Sequence, residues 1–287
     1  MTEHEITEIR GVGKATAQKL KEAGFTTVES IAVTPARVLA EVLGISEDRA
    51  AKIAQAAREL LGIRFITAEE YWSKRQNVQY ISTGCKALDD LLGGGIETQA
   101  VTEFVGESSR IRSLLSHWLC FAVQLTFKEE DPCAKAVYID TEGAFRPERI
   151  VQLAKDKGID VKNVLKNIIY ARAHSLSSLI LLIEDLFNKD FKILLISSLD
   201  NVISYELSLG KSSLNILSNI AKLYLKSVHI AFEKNAAVVF FFIREPRLGN
   251  IFFKRFSKIV FFREEENKVV FSDSERRSVI CQIDGFQ

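Results

Sequence analysis

Four cysteines, four prolines, two tryptophans and one methionine are all that 287 residues contain of these types, and several scarcities exclude a class of protein. No apolar run reaches the ~18 residues that a membrane-spanning helix needs, so no membrane partner is expected. The opening residues, "MTEHEITEIRG", are charged from the start, which argues against a signal peptide. Cys85, Cys120, Cys133 and Cys281 show no CxxC or His-paired spacing, so neither a zinc site nor a disulfide framework is expected, and the reducing cytoplasm is the default location. An excess of one charge is also missing: 38 Lys+Arg against 37 Asp+Glu leave a net charge of +1, so any contact with nucleic acid must be local. What remains, 47% hydrophobic and 26% charged residues, describes an ordinary globular chain of one large or two modest domains.

The chain changes character near residue 70. Residues 1–64 read as a small helical bundle: "TAQKLKEAGF" ends at Gly24, "ESIAV" stops before Pro35, "ARVLAEVLG" ends at Gly44, and "SEDRAAKIAQAARELLG" starts at a Ser46 cap and ends at Gly62. Residues 65–80 read as a linker. Residues 81–287 carry apolar segments rich in β-branched and aromatic residues: "AVTEFVG", "KAVYIDT", "NIIYARA", "FKILLIS", "AAVVFFFI", "SKIVFFR", "KVVFS" and "SVICQID". Helical stretches separate the earlier ones. This alternation predicts an α/β domain, a mostly parallel sheet flanked by helices with antiparallel strands at the C-terminal end.

In "IRGVGKATAQKL", Gly11, Val12 and Gly13 make a tight turn between two helices, as in a helix-hairpin-helix element. Such a turn lets backbone N–H groups approach a phosphate without reading sequence, and Lys14, Lys19 and Lys21 follow it. "LGISEDRAAKIAQAA" repeats the pattern loosely around Gly44. The same turn also serves a helical bundle with no DNA, and residues 1–70 carry more acids than bases.

The order of motifs is more telling. "GVGKATAQKL", "IRFITAEEY", "ISTGCKALDDLLGGGIE", "TEFVGE", "VYIDTEGAFRPERI" and "YARAHS" together resemble the archaeal RadA recombinase family of the RecA superfamily, over residues 5–175 and more weakly beyond. The resemblance implies a helix-hairpin-helix N-terminal domain and a RecA-like ATPase core that polymerises on single-stranded DNA. The family's phosphate loop reads GExGSGKT. Aligned on Gly106 and Glu107, this chain has Ser109 and Ile111 at the loop's glycines, Arg112 at its lysine and Ser113 at its hydroxyl. Those glycines let N–H groups curl around phosphate in conformations that side chains oppose, and a planar guanidinium does not replace a compact ammonium. Ser197 stands where the family has its magnesium-side aspartate, with Asp200 offset by three; Phe242 and Ile243 replace the Asn-Gln that senses the γ-phosphate; and the mobile DNA-binding loop that should follow is nearly absent. Glu142 remains where the family has its water-activating carboxylate and Arg149 where it has an adenine contact, although "DTEGAFRPERI" is equally a strand end followed by a helix start.

"RFITAEEY" matches the family's Phe-x-x-Ala docking motif, in which Phe65 and Ala68 enter pockets on a neighbouring subunit; the alternative is a hinge. Between residues 244 and 263, Arg244, Arg247, Lys254, Arg255, Lys258 and Arg263 face only Glu245, with Phe252, Phe253 and Phe256 interleaved, which reads either as a single-strand contact or as a solvated β-hairpin, and "REEENK" after it as a solvated turn. The expected protein is a RadA paralogue whose nucleotide site (Gly106, Glu107, Arg112, Ser113, Arg149, with Glu142) is vestigial. No cofactor or metal is expected. It docks to a recombinase or to itself through Phe65 and Ala68, and touches DNA through Gly11, Val12, Gly13, Lys14, Lys19, Lys254 and Arg255. The alternatives are a DNA-dependent ATPase with an unorthodox loop, and a DNA-binding module relying on its hairpins alone.

Overall fold

Glycine and proline set the ends of the N-terminal helices. In the computed structural model, which describes residues 5–61, 66–127, 134–244 and 257–283, α1 (Lys14–Glu22) starts after Gly13 and is followed by Gly24 at φ +90°. Thr27 caps α2 (Val28–Val33) by accepting the Ser30 N–H at 3.1 Å. The third helix, α3 (Ala36–Leu43), follows Pro35 and stops at Gly44, which takes φ +66° as a left-handed C-cap. Ser46 stands at the N-cap of α4 (Glu47–Leu60), but its side chain makes no capping bond; Glu47 and Asp48 in the first turn supply the favourable charge instead. Ile9, Leu20, Ile31, Leu39, Ala50 and Ala57 close the core of this bundle.

The stretch read as a linker contains a helix, α5 (Ala68–Arg75). Its first turn is held by Thr67, whose hydroxyl accepts the Glu70 N–H and whose carbonyl accepts the Tyr71 N–H, each at 3.0 Å. By contacts, the chain divides into Met1–Gln76 and Asn77–Gln287.

The second unit runs β1 (Tyr80–Ile81), α6 (Lys86–Leu92), β2 (Ile96–Glu97), β3 (Ala100–Val105), α7 (Ser109–Thr126), β4 (Ala136–Asp140), α8 (Pro147–Asp156), α9 (Val161–Lys166), β5 (Ile168–Arg172), α10 (Leu176–Leu186), β6 (Ile193–Ile196), α11 (Leu199–Ser208), α12 (Ser213–Glu233), β7 (Ala237–Phe242), β8 (Ser257–Glu265), β9 (Lys268–Asp273) and β10 (Ser278–Gln282). Strands β1 and β2 form a small antiparallel pair; the other eight form one sheet in the order β10-β9-β8-β3-β7-β6-β4-β5. From β8 to β5 every neighbour is parallel, and β9 and β10 turn antiparallel. All eight apolar segments named from the sequence are these eight strands.

Strands β6 and β7 are apolar throughout because both faces are covered. Along β7, Ala237, Val239 and Phe241 enter one core with Leu88 of α6, Leu119 of α7 and Leu153 of α8. Val238, Phe240 and Phe242 enter the other with Ile183 of α10, Val202 of α11 and Leu223 of α12.

Two expectations are corrected here. Cys85 and Cys281 form a disulfide that ties the start of α6 to β10 across 196 residues; the spacing carries no local signal, and only the sheet order brings the two together. Cys120 is a buried free thiol, and Cys133 lies outside the described residues. Within "REEENK", Arg263–Glu265 belong to β8 and Lys268 to β9, so the turn is only Glu266 and Asn267, with Glu266 at φ +47°.

Candidate functional site

In a parallel sheet covered by helices, ligands bind beyond the carboxyl ends of the strands, and the motif residues of this chain collect at the ends of β3, β4, β6 and β7. After β3 the backbone makes no curl. Gly106 donates its N–H to the Phe242 carbonyl at 3.0 Å, Ser108 caps α7 by accepting the Ile111 N–H at 3.3 Å, and the helix is under way by Ser109. None of residues 106–113 has positive φ. Ile111, at a position where the family's loop has a glycine, is an ordinary helical residue buried in the core. Gly106 is required for a different reason than phosphate: a Cβ there would meet the Phe262 ring at 2.5 Å.

Arg112 turns back over this loop. Its Nη1 donates to the carbonyl oxygens of Gly106 at 2.8 Å and Glu107 at 3.1 Å, and its Nη2 reaches the Glu142 carboxylate at 3.3 Å. The residue is only 6% exposed, and its Nε finds no partner among the described residues. The candidate cation and the candidate carboxylate thus neutralise each other. The Glu107 side chain points away to Arg244 at 3.2 Å. Ser113 is engaged with His117: the His117 Nδ1 donates to the Ser113 carbonyl at 2.6 Å and lies 3.3 Å from its hydroxyl, while Nε2 accepts the Arg146 N–H at 2.8 Å. These partners fix a neutral imidazole. Burial holds its pKa below the usual 6.5, against the pull of the Ser113 carbonyl and with help from Arg149 and Arg146.

Asp140, at the end of β4, organises the loop that carries Glu142. Its Oδ1 accepts N–H groups from Glu142, Gly143 and Ala144 at 3.0, 2.7 and 3.2 Å, and its Oδ2 accepts that of Phe145 at 3.1 Å. Burial would raise its pKa, but these four donors hold it below 3.8. Tyr170 adds its hydroxyl to Oδ2 at 3.2 Å. Arg149, one turn into α8, is half-buried with Gln152 at 3.5 Å. The roles of Asp140 and His117 were not read from the sequence; an aspartate at a strand end before "TEGAF" was the available signal for the first, and the second has none.

At the end of β6, the Ser197 hydroxyl accepts the Thr141 N–H at 2.8 Å and lies 3.4 Å from Asp140 Oδ1. Asp200 caps β7, its Oδ2 accepting the Ile243 N–H at 2.7 Å. Phe242 is fully buried, as expected of a sensor turned into core, whereas Ile243 is half-buried.

The hairpin in the first unit puts Gly11 at φ +95° and Gly13 at the start of α1, with Lys14 and Lys19 exposed. Val12 is corrected: its side chain is core and its N–H is bonded to the Ile9 carbonyl at 2.9 Å. The second hairpin leads into the acidic first turn of α4, which repels phosphate. Ala68 is exposed at the start of α5; Phe65 lies outside the described residues, as do Lys254, Arg255 and the shortened loop before β8. The described bases of that stretch are not free: Arg244 pairs with Glu107, Lys258 with Glu97 at 2.7 Å, and Arg263 with Glu265.

A mostly parallel sheet between two helical layers, closed by antiparallel strands and accompanied by a helix-hairpin-helix unit, defines a RecA-like protein. Residues 74–242 match the Rad51 family and residues 3–59 match the SAM-like helix-hairpin-helix tandem, and the chain belongs to the Rad51 family. It is 48% identical over 189 residues to a "DNA repair and recombination protein RadA" of Ignicoccus hospitalis, covering 64% of this chain and 57% of that protein. It is 39% identical over 240 residues to the RadA of Aeropyrum pernix, covering 82% of this chain and 75% of that protein. The chain thus spans little more than half the length of the first of these relatives. Among the described residues no helix is long and apolar enough to cross a membrane.

Proposed function

We propose that this chain is a non-catalytic, RadA-like accessory of homologous recombination and DNA repair. It acts in the cytoplasm, docks to recombinase subunits or to itself through Phe65 and Ala68, and contacts DNA without sequence preference. The process is supported by the names of the relatives, and the lack of turnover by one observation: Arg112 bonds to the carbonyls of Gly106 and Glu107 and to Glu142.

The residues present do not fit ATP with magnesium. A phosphate cradle presents N–H groups to the anion, whereas here loop carbonyls accept from an internal guanidinium and the helix begins too early to curl. The carboxylate that would activate water is paired with Arg112, and Ser113 is held against His117. Loss of one preorganised electrostatic group typically lowers a rate by about 10²–10³, and several are altered together.

The test is a melting curve with and without Mg-ATP, alongside a hydrolysis assay. A ligand at about 100 times its dissociation constant adds about 2.7 kcal/mol of stability. The expected result is an unchanged melting temperature and background hydrolysis. A clear upward shift, or hydrolysis abolished by Glu142→Gln, would establish the alternative, an ATPase working from an unorthodox loop.

A further inference from the structure

Of the chain's two tryptophans one is buried and the other is not: Trp118 of α7 is 8% exposed, whereas Trp72 of α5 is 66% exposed. Its neighbour Tyr71 is 51% exposed. Tryptophan is highly buried on average, and large rings left in solvent mark interaction surfaces, where Tyr and Trp are enriched. Neither ring makes an aromatic contact or a side-chain hydrogen bond among the described residues.

The helix arranges the two rings. Ala68, Tyr71, Trp72 and Arg75 stand at i, i+3, i+4 and i+7 of α5 and so share one face, and Thr67 fixes its first turn through the Glu70 and Tyr71 N–H groups. Ala68, whose methyl group enters a partner pocket in the docking proposed above, is thus the first residue of the same stripe and is itself exposed. One helical turn advances only ~5.4 Å, so a surface that takes Ala68 also meets Tyr71 and Trp72. Charge points to the kind of surface. Glu69 flanks the stripe, exposed in the first turn. The core of this chain offers two guanidiniums beside Gly143 that make no ion pair with a carboxylate among the described residues: Arg146, whose Nη1 donates to the Gly143 carbonyl at 2.9 Å, and Arg172, whose Nη2 is 3.0 Å from where a Cβ on Gly143 would stand.

We propose that the face of α5 formed by Ala68, Tyr71 and Trp72 packs against the core of a second copy of this chain, with Trp72 as its main anchor. The inference rests on docking through the 65–68 segment and extends it, from a two-residue motif to a helix laid in a groove and held by anchors at i, i+3 and i+4.

The experiment is sedimentation and light scattering of the full chain over a dilution series, with tryptophan emission read on the same samples. Trp118 is buried already, so a blue shift of the emission as copies associate reports Trp72 leaving water. Trp72→Ala should weaken self-association about thirtyfold or more, the effect of losing a hot spot, and Tyr71→Ala several-fold. Trp72→Phe should keep most of the affinity and abolish the emission shift. Both positions are exposed in the single chain, so each variant should melt like the parent when dilute. Phe65→Ala separates this face from the motif: association lost with Phe65→Ala but equal to the parent in Trp72→Ala, or an emission that does not move with dilution, would overturn the α5 face and leave the motif standing. A chain that is monomeric at every concentration, or that binds a RadA recombinase through Trp72 but not itself, would overturn the second copy as partner.

Discussion

A Cβ on Gly106 would stand 2.5 to 2.6 Å from three atoms of the Phe262 ring, and Phe262 is itself packed on Phe271 at 6.1 Å, so the ring has little room to yield. Gly106→Ala should therefore cost about 1–3 kcal/mol, the usual range for overpacking a core, read as a lower urea midpoint with an unchanged slope; an alanine variant as stable as the parent would refute this packing role. The sequence displays Gly106 and Glu107 as a retained motif, but the reason for the glycine is a residue on β8, which no local pattern reveals. Arg112 is similar. Its departure from lysine is legible in the chain, whereas its bonds to two loop carbonyls and Glu142 depend on where α7 begins. His117 stayed hidden because its fixing partners, the Ser113 carbonyl and the Arg146 N–H, are backbone atoms.

Helix α7 and the eight strands show what is readable at the level of elements. Strands β6 and β7, buried on both faces, are continuous apolar runs, while the partly exposed β5, β8, β9 and β10 were visible by their β-branched and aromatic residues; β1 and β2, two residues each, are too short to carry a pattern. The helix start at Ser109 rests on the capping Ser108, which is an ordinary serine until its bond to the Ile111 N–H is seen. In the segment "FITA", Thr67 opens α5 and Ala68 is exposed. If docking runs through this segment, Phe65→Ala should weaken association with a RadA recombinase by about thirtyfold, the equivalent of a hot spot of about 2 kcal/mol, and Ala68→Glu should abolish it, both in variants that melt like the parent. Pull-down and light scattering check this: complexes unchanged by both substitutions would leave the segment a hinge.

At the level of the whole molecule, the covalent tie between Cys85 and Cys281 closes a loop over 196 residues. On the chain-entropy account such a loop stabilises by about 5 kcal/mol, so reduction with a dithiol, or Cys85→Ser, should lower the melting temperature by about 10 °C; identical curves with and without reductant would remove the disulfide from the stability of the core. The order of the sheet has a consequence for synthesis. Strand β3 is the first long strand of the core to leave the ribosome, yet both of its neighbours come late: Ala100 pairs with Ala237 of β7, and Val101 with Ser257 of β8. Strands β4, β5 and β6 already have one another and can pair while the rest is still being made, but β3 emerges with both edges open and waits for most of the chain. A nascent chain paused before β7 exposes an apolar strand with no pairing partner, so the interval before β7 emerges is when this protein is most exposed to aggregation and most dependent on a chaperone.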